Sequence, residues 1–408
     1  MRNFFSFFGR NGKLIIFVFL AIFSLYSTYL YLTIGQRGFD KVLSSLATQF
    51  VSGHVALPIY NLPIRDISAY YNNFYVYFGP LSSILLMPFA FFFKDAFPQV
   101  TLGVGSIIVS LVAVYFISKK FEFSSLDSLW LSLFFVFSTV LFSSSVINIT
   151  AYQVEALGVP FILLALLAYL SNKHPLLIGL LIGLATMTRV TLMLSVVFFF
   201  FELIQKRFTI KQFILMLIPV IIAVSLLGAY NNRRFHSVLE TGYNYNISIR
   251  DLPIGANLKY GDKSIMHIPA NLYSFLIMSP EPFKEKGDGF ILKFPYMKLS
   301  PWGAAIWFTS PLFLLLLCRF RKGIYTISAG LAAIALSLPV FTWYSIGYAQ
   351  VGYRYALDFL PFLFLLLIPT LSPKLTKTAI FLIILGVIFN CVYTDSIWEI
   401  YPLLGIYP

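Results

Sequence analysis

Charged residues are scarce in this sequence. Asp, Glu, Lys and Arg make up only 11% of the 408 residues, whereas hydrophobic residues make up 59% and aromatic residues 18%. This composition excludes an ordinary soluble protein, and the length of the apolar runs favours spanning helices over barrel strands. We therefore expect an all-α polytopic membrane protein that forms a single domain over residues 1–408.

Cysteine and histidine are also rare. The two cysteines, Cys318 and Cys391, lie in or beside apolar runs, where packing against helices or lipid explains them. The four histidines are scattered without the spacing of a metal site. No metal site and no cofactor is evident, a role for a divalent metal is left open, and no nucleic-acid partner is expected.

About eleven apolar runs are interpreted as membrane spans. The first run follows a basic start and is too long for the core of a signal peptide, so we interpret it as a retained span. The runs cover residues 14–34, 99–118, 127–146, 153–171, 175–188, 190–205, 212–229, 302–318, 324–345, 355–371 and 378–393.

Basic residues between the runs predict the orientation of the chain in a plasma membrane. With the N-terminus in the cytoplasm, the short basic loops all face inward, as the positive-inside rule requires. The long loops, residues 35–98 and 230–301, then lie outside. The alternation requires that the short apolar segment Leu81–Phe93, which contains Pro88, does not cross, so we expect it to form a juxtamembrane helix on the outer face.

Several charged residues lie at the predicted outer ends of spans, where charge is costly and often functional. The candidates are Asp40, Asp66, Glu155, Arg189, and the pair Arg354 and Asp358. The last two are four residues apart, so they could instead neutralise each other on one face of a helix. The tyrosines between residues 65 and 80, taken alone, are more typical of a membrane-interface belt.

The pattern of short motifs resembles that of the membrane-embedded GT-C glycosyltransferases, which transfer a sugar from a polyprenyl phosphate to an acceptor. It resembles most closely a bacterial branch that includes mannosyltransferases and aminoarabinose transferases. Five segments, in chain order, carry the resemblance: FDKVLSSLATQFVSGHVALP, YYNNFYVYFGPLSSILLMPF, GLLIGLATMTRVTLML, NNRRFHSVLETGYNY and GYRYALDFLPFLFLLL. The resemblance implies an inverting hexosyl- or pentosyltransferase whose active site faces outward.

The resemblance also implies roles for individual residues. A carboxylate, Asp40 or Asp66, would accept the proton of the acceptor hydroxyl. Cations would bind the departing phosphate; the candidates, in order, are Arg354, Arg189 and the pair Arg233 and Arg234. The remaining expected substrate contacts are Tyr71, Asn73, Tyr75, Tyr77, Glu155, Glu240, Tyr243 and Asp358.

Two questions are open at this stage. Many family members have two adjacent acids after the first span, whereas here Asp40 is followed by Lys41, so either Asp40 or Asp66 could be the base. The alternative functions are a flippase for polyprenyl-linked glycans and an O-antigen-ligase-like protein. The expected partners are a polyprenyl-phosphate-linked sugar donor, membrane lipids, and a lipid, glycan or protein acceptor.

Overall fold

The computed structural model describes residues 40–58, 66–247, 253–285, 287 and 289–400. The predicted first span, residues 14–34, lies outside these ranges. Within them the chain is mainly helical, and the helices pack against one another around a core of Leu, Ile and Phe side chains.

The described residues form fifteen α-helices and four strands. The helices are α1 Val42–Val51, α2 Leu81–Phe93, α3 Thr101–Lys120, α4 Ser125–Phe137, α5 Val140–Val146, α6 Thr150–Leu170, α7 Pro175–Thr188, α8 Val196–Ile204, α9 Ile210–Phe235, α10 Ile268–Leu276, α11 Ile306–Thr309, α12 Leu314–Cys318, α13 Thr326–Phe341, α14 Leu360–Leu371 and α15 Lys377–Ile400. The strands are β1 Ile67–Tyr70, β2 Asn73–Val76, β3 Glu281–Lys284 and β4 Leu292–Lys298.

Among the described residues, four helices are long and apolar enough to cross a membrane. These are α3, α6, α9 and the part of α15 up to Thr394, and the pair α4 and α5 makes a fifth if it is one span bent by 59°. The bend follows from Thr139, which has an extended backbone and caps α5 with its hydroxyl. The other predicted runs within the described residues form shorter or interrupted helices, so the topology of eleven spans stays a prediction.

Contacts between helix ends show that α6, α7 and α8 alternate in direction. Glu155, near the start of α6, lies 3.4 Å from Arg189, which directly follows the end of α7. Tyr169, near the end of α6, donates a hydrogen bond to Glu202 near the end of α8. We call the end that contains Glu155 the site end and the other the opposite end. The alternation agrees with the predicted topology, while the side that faces the cytoplasm stays a prediction.

The segment Leu81–Phe93 is helical, as predicted, and the chain enters and leaves it at the site end. A Cβ on Gly79 would lie 2.0 Å from the carbonyl oxygen of Met187 at the end of α7, so this close approach requires glycine. After the helix, the carbonyl of Phe97 accepts a 2.6 Å hydrogen bond from Ser44 of α1. Both connections lie at one end of the molecule, which agrees with a helix that does not cross.

The expectation of an all-α fold is wrong for two short hairpins. Strands β1 and β2 pair antiparallel, as do β3 and β4. The first hairpin turns at Tyr71 and Asn72, both of which have positive φ (45° and 59°), as tight hairpin turns require. Tyrosine rarely adopts this backbone conformation, so the sequence carries no clear turn signal there.

Candidate active site

A cavity of about 450 Å³ opens at the site end of the bundle. Its walls come from the residues directly after β2, the first turns of α6, the end of α7, the end of α9 with the loop after it, and the end of α13 with the segment that joins it to α14. Both hydroxyl-rich and apolar side chains line it. The cavity therefore gathers several of the predicted outer-end residues around one space.

Asp66 lies on the wall of this cavity, directly before β1. Its Oδ1 accepts a 2.6 Å hydrogen bond from the hydroxyl of Tyr77. Its Oδ2 accepts a longer bond of 3.3 Å from the backbone N–H of Ala151, in the first turn of α6. Burial and the charge of Asp66 raise the pKa of Tyr77 well above its usual range, so this phenol keeps its proton.

Asp40 is close by, but it is not among the residues that line the cavity. Its Oδ2 accepts hydrogen bonds from the backbone N–H and the hydroxyl of Thr150, at 2.7 and 2.8 Å, and its Oδ1 accepts one of 3.1 Å from the N–H of Val42. Burial, followed by repulsion from Asp66, raises the pKa of Asp40 to about 6. The geometry thus gives Asp40 a capping role and leaves Asp66 as the one of these two carboxylates that lines the cavity.

Two arginines and two carboxylates form one ion network beside Asp66. Glu155 lies 2.8 Å from Nε of Arg354 and 3.4 Å from Nη1 of Arg189, and Arg189 also lies 3.3 Å from Asp358. Asp358 accepts a 2.7 Å hydrogen bond from Thr191. Glu155 and Asp358 are almost fully buried, at 3% and 1% exposure. The alternative in which Arg354 and Asp358 neutralise each other is therefore not what the structure shows.

Arg354 directs its outer nitrogens toward weak partners. Its Nη1 and Nη2 lie 3.4 Å from the carbonyl of Tyr348 and from the hydroxyl of Tyr355. The guanidinium group lies 4.5 Å from the ring centre of Tyr152, where a cation–π contact favours the charge. The strong contact, through Nε to Glu155, fixes the group's orientation while the outer nitrogens line the cavity.

Arg233 and Arg234, the other predicted phosphate ligands, lie in different surroundings. Arg233 is exposed and is not among the residues of the cavity wall. Arg234 lines the cavity but is 2% exposed, and it donates to the carbonyl of Val76 and to Asn231. Its guanidinium group also lies 3.9 Å from the ring centre of Tyr230. Arg234 therefore joins α9 to the hairpin, and the role of Arg233 in binding substrate stays a prediction.

Most of the polar stretch between residues 66 and 80 does not face the cavity. Tyr71 is 77% exposed at the hairpin turn, and the side chain of Asn73 donates to the carbonyl of Tyr71. Tyr75 is buried against Phe235, with the ring centres 5.3 Å apart. Of the four predicted substrate-binding residues in this stretch, only Tyr77 lines the cavity. Tyr77 lies after the end of β2, whereas the other three lie within the hairpin or at its turn.

Glu240 and Tyr243, two of the predicted substrate contacts, line the cavity. Glu240 accepts hydrogen bonds from the backbone N–H of Gly242 (2.6 Å) and the side chain of Asn244 (2.8 Å), which order the loop after α9. Tyr243 packs against Tyr77, with the ring centres 4.4 Å apart. Asp358 is not among the lining residues and lies behind Arg189, so the structure gives it no direct place in the cavity.

The sequence analysis missed one wall of the cavity. Trp343, Tyr344, Tyr348 and Tyr355 line it from the segment between α13 and α14. The signal was the run of aromatic residues directly before and after Arg354, which has the same character as the polar stretch before α2. The predicted span at residues 324–345 includes Trp343 and Tyr344, which obscures this signal in the sequence.

No metal-binding group is evident among the described residues, in which no three His, Cys, Asp or Glu side chains are placed to hold an ion together. The candidate pair closest to such a group is Asp40 and Asp66. Their carboxylate oxygens already accept hydrogen bonds from backbone, Thr150 and Tyr77 donors.

Comparisons with known proteins give a distant structural similarity. No protein-family model matches the sequence, and no curated protein matches it. Two similar solved structures are crystal structures of the oligosaccharyltransferase of Archaeoglobus fulgidus. The apo form is 12% identical with a TM-score of 0.34. The form tethered by a disulfide bond to an acceptor peptide with the NVT sequon is 13% identical with the same TM-score of 0.34.

The two alignments cover 91% of this chain. They cover 52% and 51% of the oligosaccharyltransferase chains, so this chain spans about half the length of those proteins. A similarity of this degree transfers no residue roles.

Proposed function

We propose that this protein is an integral membrane glycosyltransferase of the GT-C type. It would transfer a sugar from a polyprenyl-phosphate carrier to an acceptor at the outer face of the plasma membrane. The observation that carries the proposal is the cavity at the site end, where a carboxylate, two ordered guanidinium groups and a wall of tyrosines face one space. The resemblance of five short segments to that superfamily supports the same reaction.

Asp66 would act as the general base. A hydroxyl group is a weak nucleophile until a base accepts its proton, and a carboxylate at the wall of a partly closed cavity can do so. Tyr77 and the N–H of Ala151 hold the carboxylate in place. Asp40 would support the base indirectly, by fixing the first turn of α6 from which that N–H projects.

Arg354 would stabilise the leaving phosphate. The acceptor oxygen forms a bond to the anomeric carbon, the bond from that carbon to the phosphate oxygen breaks, and the electron pair leaves with the phosphate. The proton of the acceptor passes to Asp66. Guanidinium groups bind phosphate through paired N–H donors, and the outer nitrogens of Arg354 are held at the cavity by Glu155. Arg189, which lies between Glu155 and Asp358, would hold this network in place.

The aromatic wall would bind the sugar ring. Tyr77, Tyr243 and Trp343 pack edge to face or tilted against one another, with ring centres 4.4 and 4.9 Å apart. Such rigid side chains offer both apolar faces and polar tips at low cost in conformational entropy. The same wall would exclude water from the anomeric carbon during transfer.

An in vitro assay tests the function directly. The purified protein, reconstituted in nanodiscs, is incubated with a panel of polyprenyl-phosphate sugars and candidate acceptors. The expected result is consumption of one donor with release of polyprenyl phosphate in equal amount. If the protein instead moves intact lipid-linked glycan between the leaflets of vesicles and transfers no sugar, the proposal is wrong and the flippase alternative is favoured.

A further inference from the structure

A second cavity lies at the opposite end of the bundle, far from the residues discussed above. It has a volume of about 480 Å³ and lies between the end of α12, the end of α14 and the start of α15. Thr370 at the end of α14 accepts a 3.3 Å hydrogen bond from the backbone N–H of Arg321, which holds the two chain segments together. The cavity is therefore a formed feature between three helices.

The walls of this cavity carry positive charge without balancing negative charge. Arg319, Arg321 and Lys374 line it, and none of its described lining residues is Asp or Glu. No carboxylate among the described residues lies within ion-pair distance of these three cations. At the site end, by contrast, Arg189 and Arg354 are each paired with a carboxylate, while Arg234 and Lys263 line the cavity without an ion pair among the described residues. That cavity is also lined by the carboxylates Asp66, Glu155, Glu240 and Asp262, so the two cavities differ in that the described lining at the opposite end has cations and no carboxylate.

Two further features suit an anionic group. The hydroxyl side chains of Thr370, Ser372 and Thr376 line the same cavity and supply neutral hydrogen-bond donors. Thr376 accepts a 3.2 Å hydrogen bond from Ala379 in the first turn of α15, so the N-terminus of this long helix lies beside the cavity. The partial positive charge of a helix N-terminus favours anions.

The surroundings of the cavity are apolar and exposed. Leu317, at 69% exposure, and Phe320, at 47%, lie on its rim, and Ile324 nearby is 59% exposed. A cationic pocket bordered by exposed apolar side chains at one end of a helical bundle matches a phospholipid, whose headgroup is charged and whose chains are apolar.

We infer that this cavity is a binding site for a phosphate-bearing anion, and that the ligand is the headgroup of an anionic membrane phospholipid. The positive-inside rule explains basic residues at this end in general, but it predicts no preference among the loops. The test therefore compares the cavity cations with an equal number of cations elsewhere at the same end.

The experiment uses the full-length protein in detergent and fluorescently labelled phosphatidylglycerol as the probe. One variant carries Arg319→Gln, Arg321→Gln and Lys374→Gln. The matched control carries Lys120→Gln, Lys173→Gln and Lys211→Gln, which removes the same charge from exposed positions in or beside helix ends at the same end. We expect the cavity variant to bind the lipid about tenfold more weakly or worse, and the control to bind like the wild type.

Further arms identify the source of the phosphate. Labelled phosphatidylcholine, whose headgroup has no net charge, should bind weakly to every variant. Inorganic phosphate should fail to displace the lipid, and displacement by phosphate would overturn the assignment to a lipid headgroup. If the cavity variant aggregates, the three single substitutions are measured, and each should weaken binding. Equal affinity of the cavity variant and the control would overturn the inference.

Discussion

The sharpest prediction concerns Asp66, because the structure separates it from the other candidate base. In Asp66→Asn the amide oxygen can still accept the hydrogen bond from Tyr77, so the shape of the cavity is kept. The amide nitrogen would face the N–H of Ala151. Both groups are donors, so the 3.3 Å hydrogen bond that Ala151 makes to Asp66 would be lost. This conflict should cost about 1 kcal/mol of folding stability.

The loss of catalysis should be larger. General-base catalysis contributes roughly 10² to 10⁴ in rate, and each factor of ten corresponds to about 1.4 kcal/mol of activation free energy. We therefore expect turnover to fall by about 10²-fold or more, a barrier increase of about 3 kcal/mol. Donor binding should change little, because the amide keeps the volume of the carboxylate and the ion network is untouched.

The assay measures turnover, the Michaelis constant for the donor and the melting temperature for three variants side by side. Asp40→Asn should lose about 1 kcal/mol of stability through its cap on α6 and keep most of its turnover. Asp95→Asn, an exposed site outside the cavity wall, is the chemically matched control. Full turnover in Asp66→Asn would refute the proposed base, as would a loss in Asp40→Asn as large as that in Asp66→Asn.

Three further predictions follow from the same geometry. Arg354→Lys keeps the charge but loses the paired donors, so the Michaelis constant for the donor should rise about tenfold, and an unchanged constant would remove Arg354 as the phosphate ligand. The pKa of Asp40 in the folded protein is raised to about 6, so protonation of this carboxyl group stabilises the folded state. This stabilisation is complete below about pH 4 and is lost as the pH rises through 6. The melting temperature of the wild type should therefore fall over this range relative to Asp40→Asn, and superimposable curves would contradict the shift. Finally, in a protein without its native cysteines, a single cysteine at position 262 should react with an impermeant reagent from outside and one at position 321 only from inside. The reverse pattern would invert the topology.

The positions of several helices can be predicted from the sequence because one physical requirement governs long apolar runs. In hydrocarbon the backbone must form its own hydrogen bonds, and the runs at 153–171 and 212–229 accordingly become α6 and α9. The lengths are less predictable. The run at 302–318 is interrupted at Ser310 and Pro311, since proline cannot continue a helix in its interior, and hydropathy alone does not register this.

The candidate site is predictable in part for a similar reason. Charges at the ends of spans are costly, so Asp66, Glu155, Arg189 and Arg354 stand out in the sequence and the cavity brings them together. Which charged residues form ion pairs is not predictable from the sequence, because this depends on which helix ends lie next to each other. The sequence places Asp358 next to Arg354, whereas the fold pairs it with Arg189, 169 positions away along the chain (358 − 189 = 169).

The pairing also determines how the site would select its ligand. Two carboxylates balance the two guanidinium groups of the network, so an incoming phosphate meets no excess of positive charge there. A buried cation without a partner is strongly destabilising, and Glu155 offsets that cost for Arg354 while it occupies Nε. The two outer nitrogens of Arg354 can then bind phosphate mainly because their N–H groups point toward it, and less because of net charge. A lysine at this position would supply the same charge without the direction, so its failure would identify geometry as the basis of donor recognition.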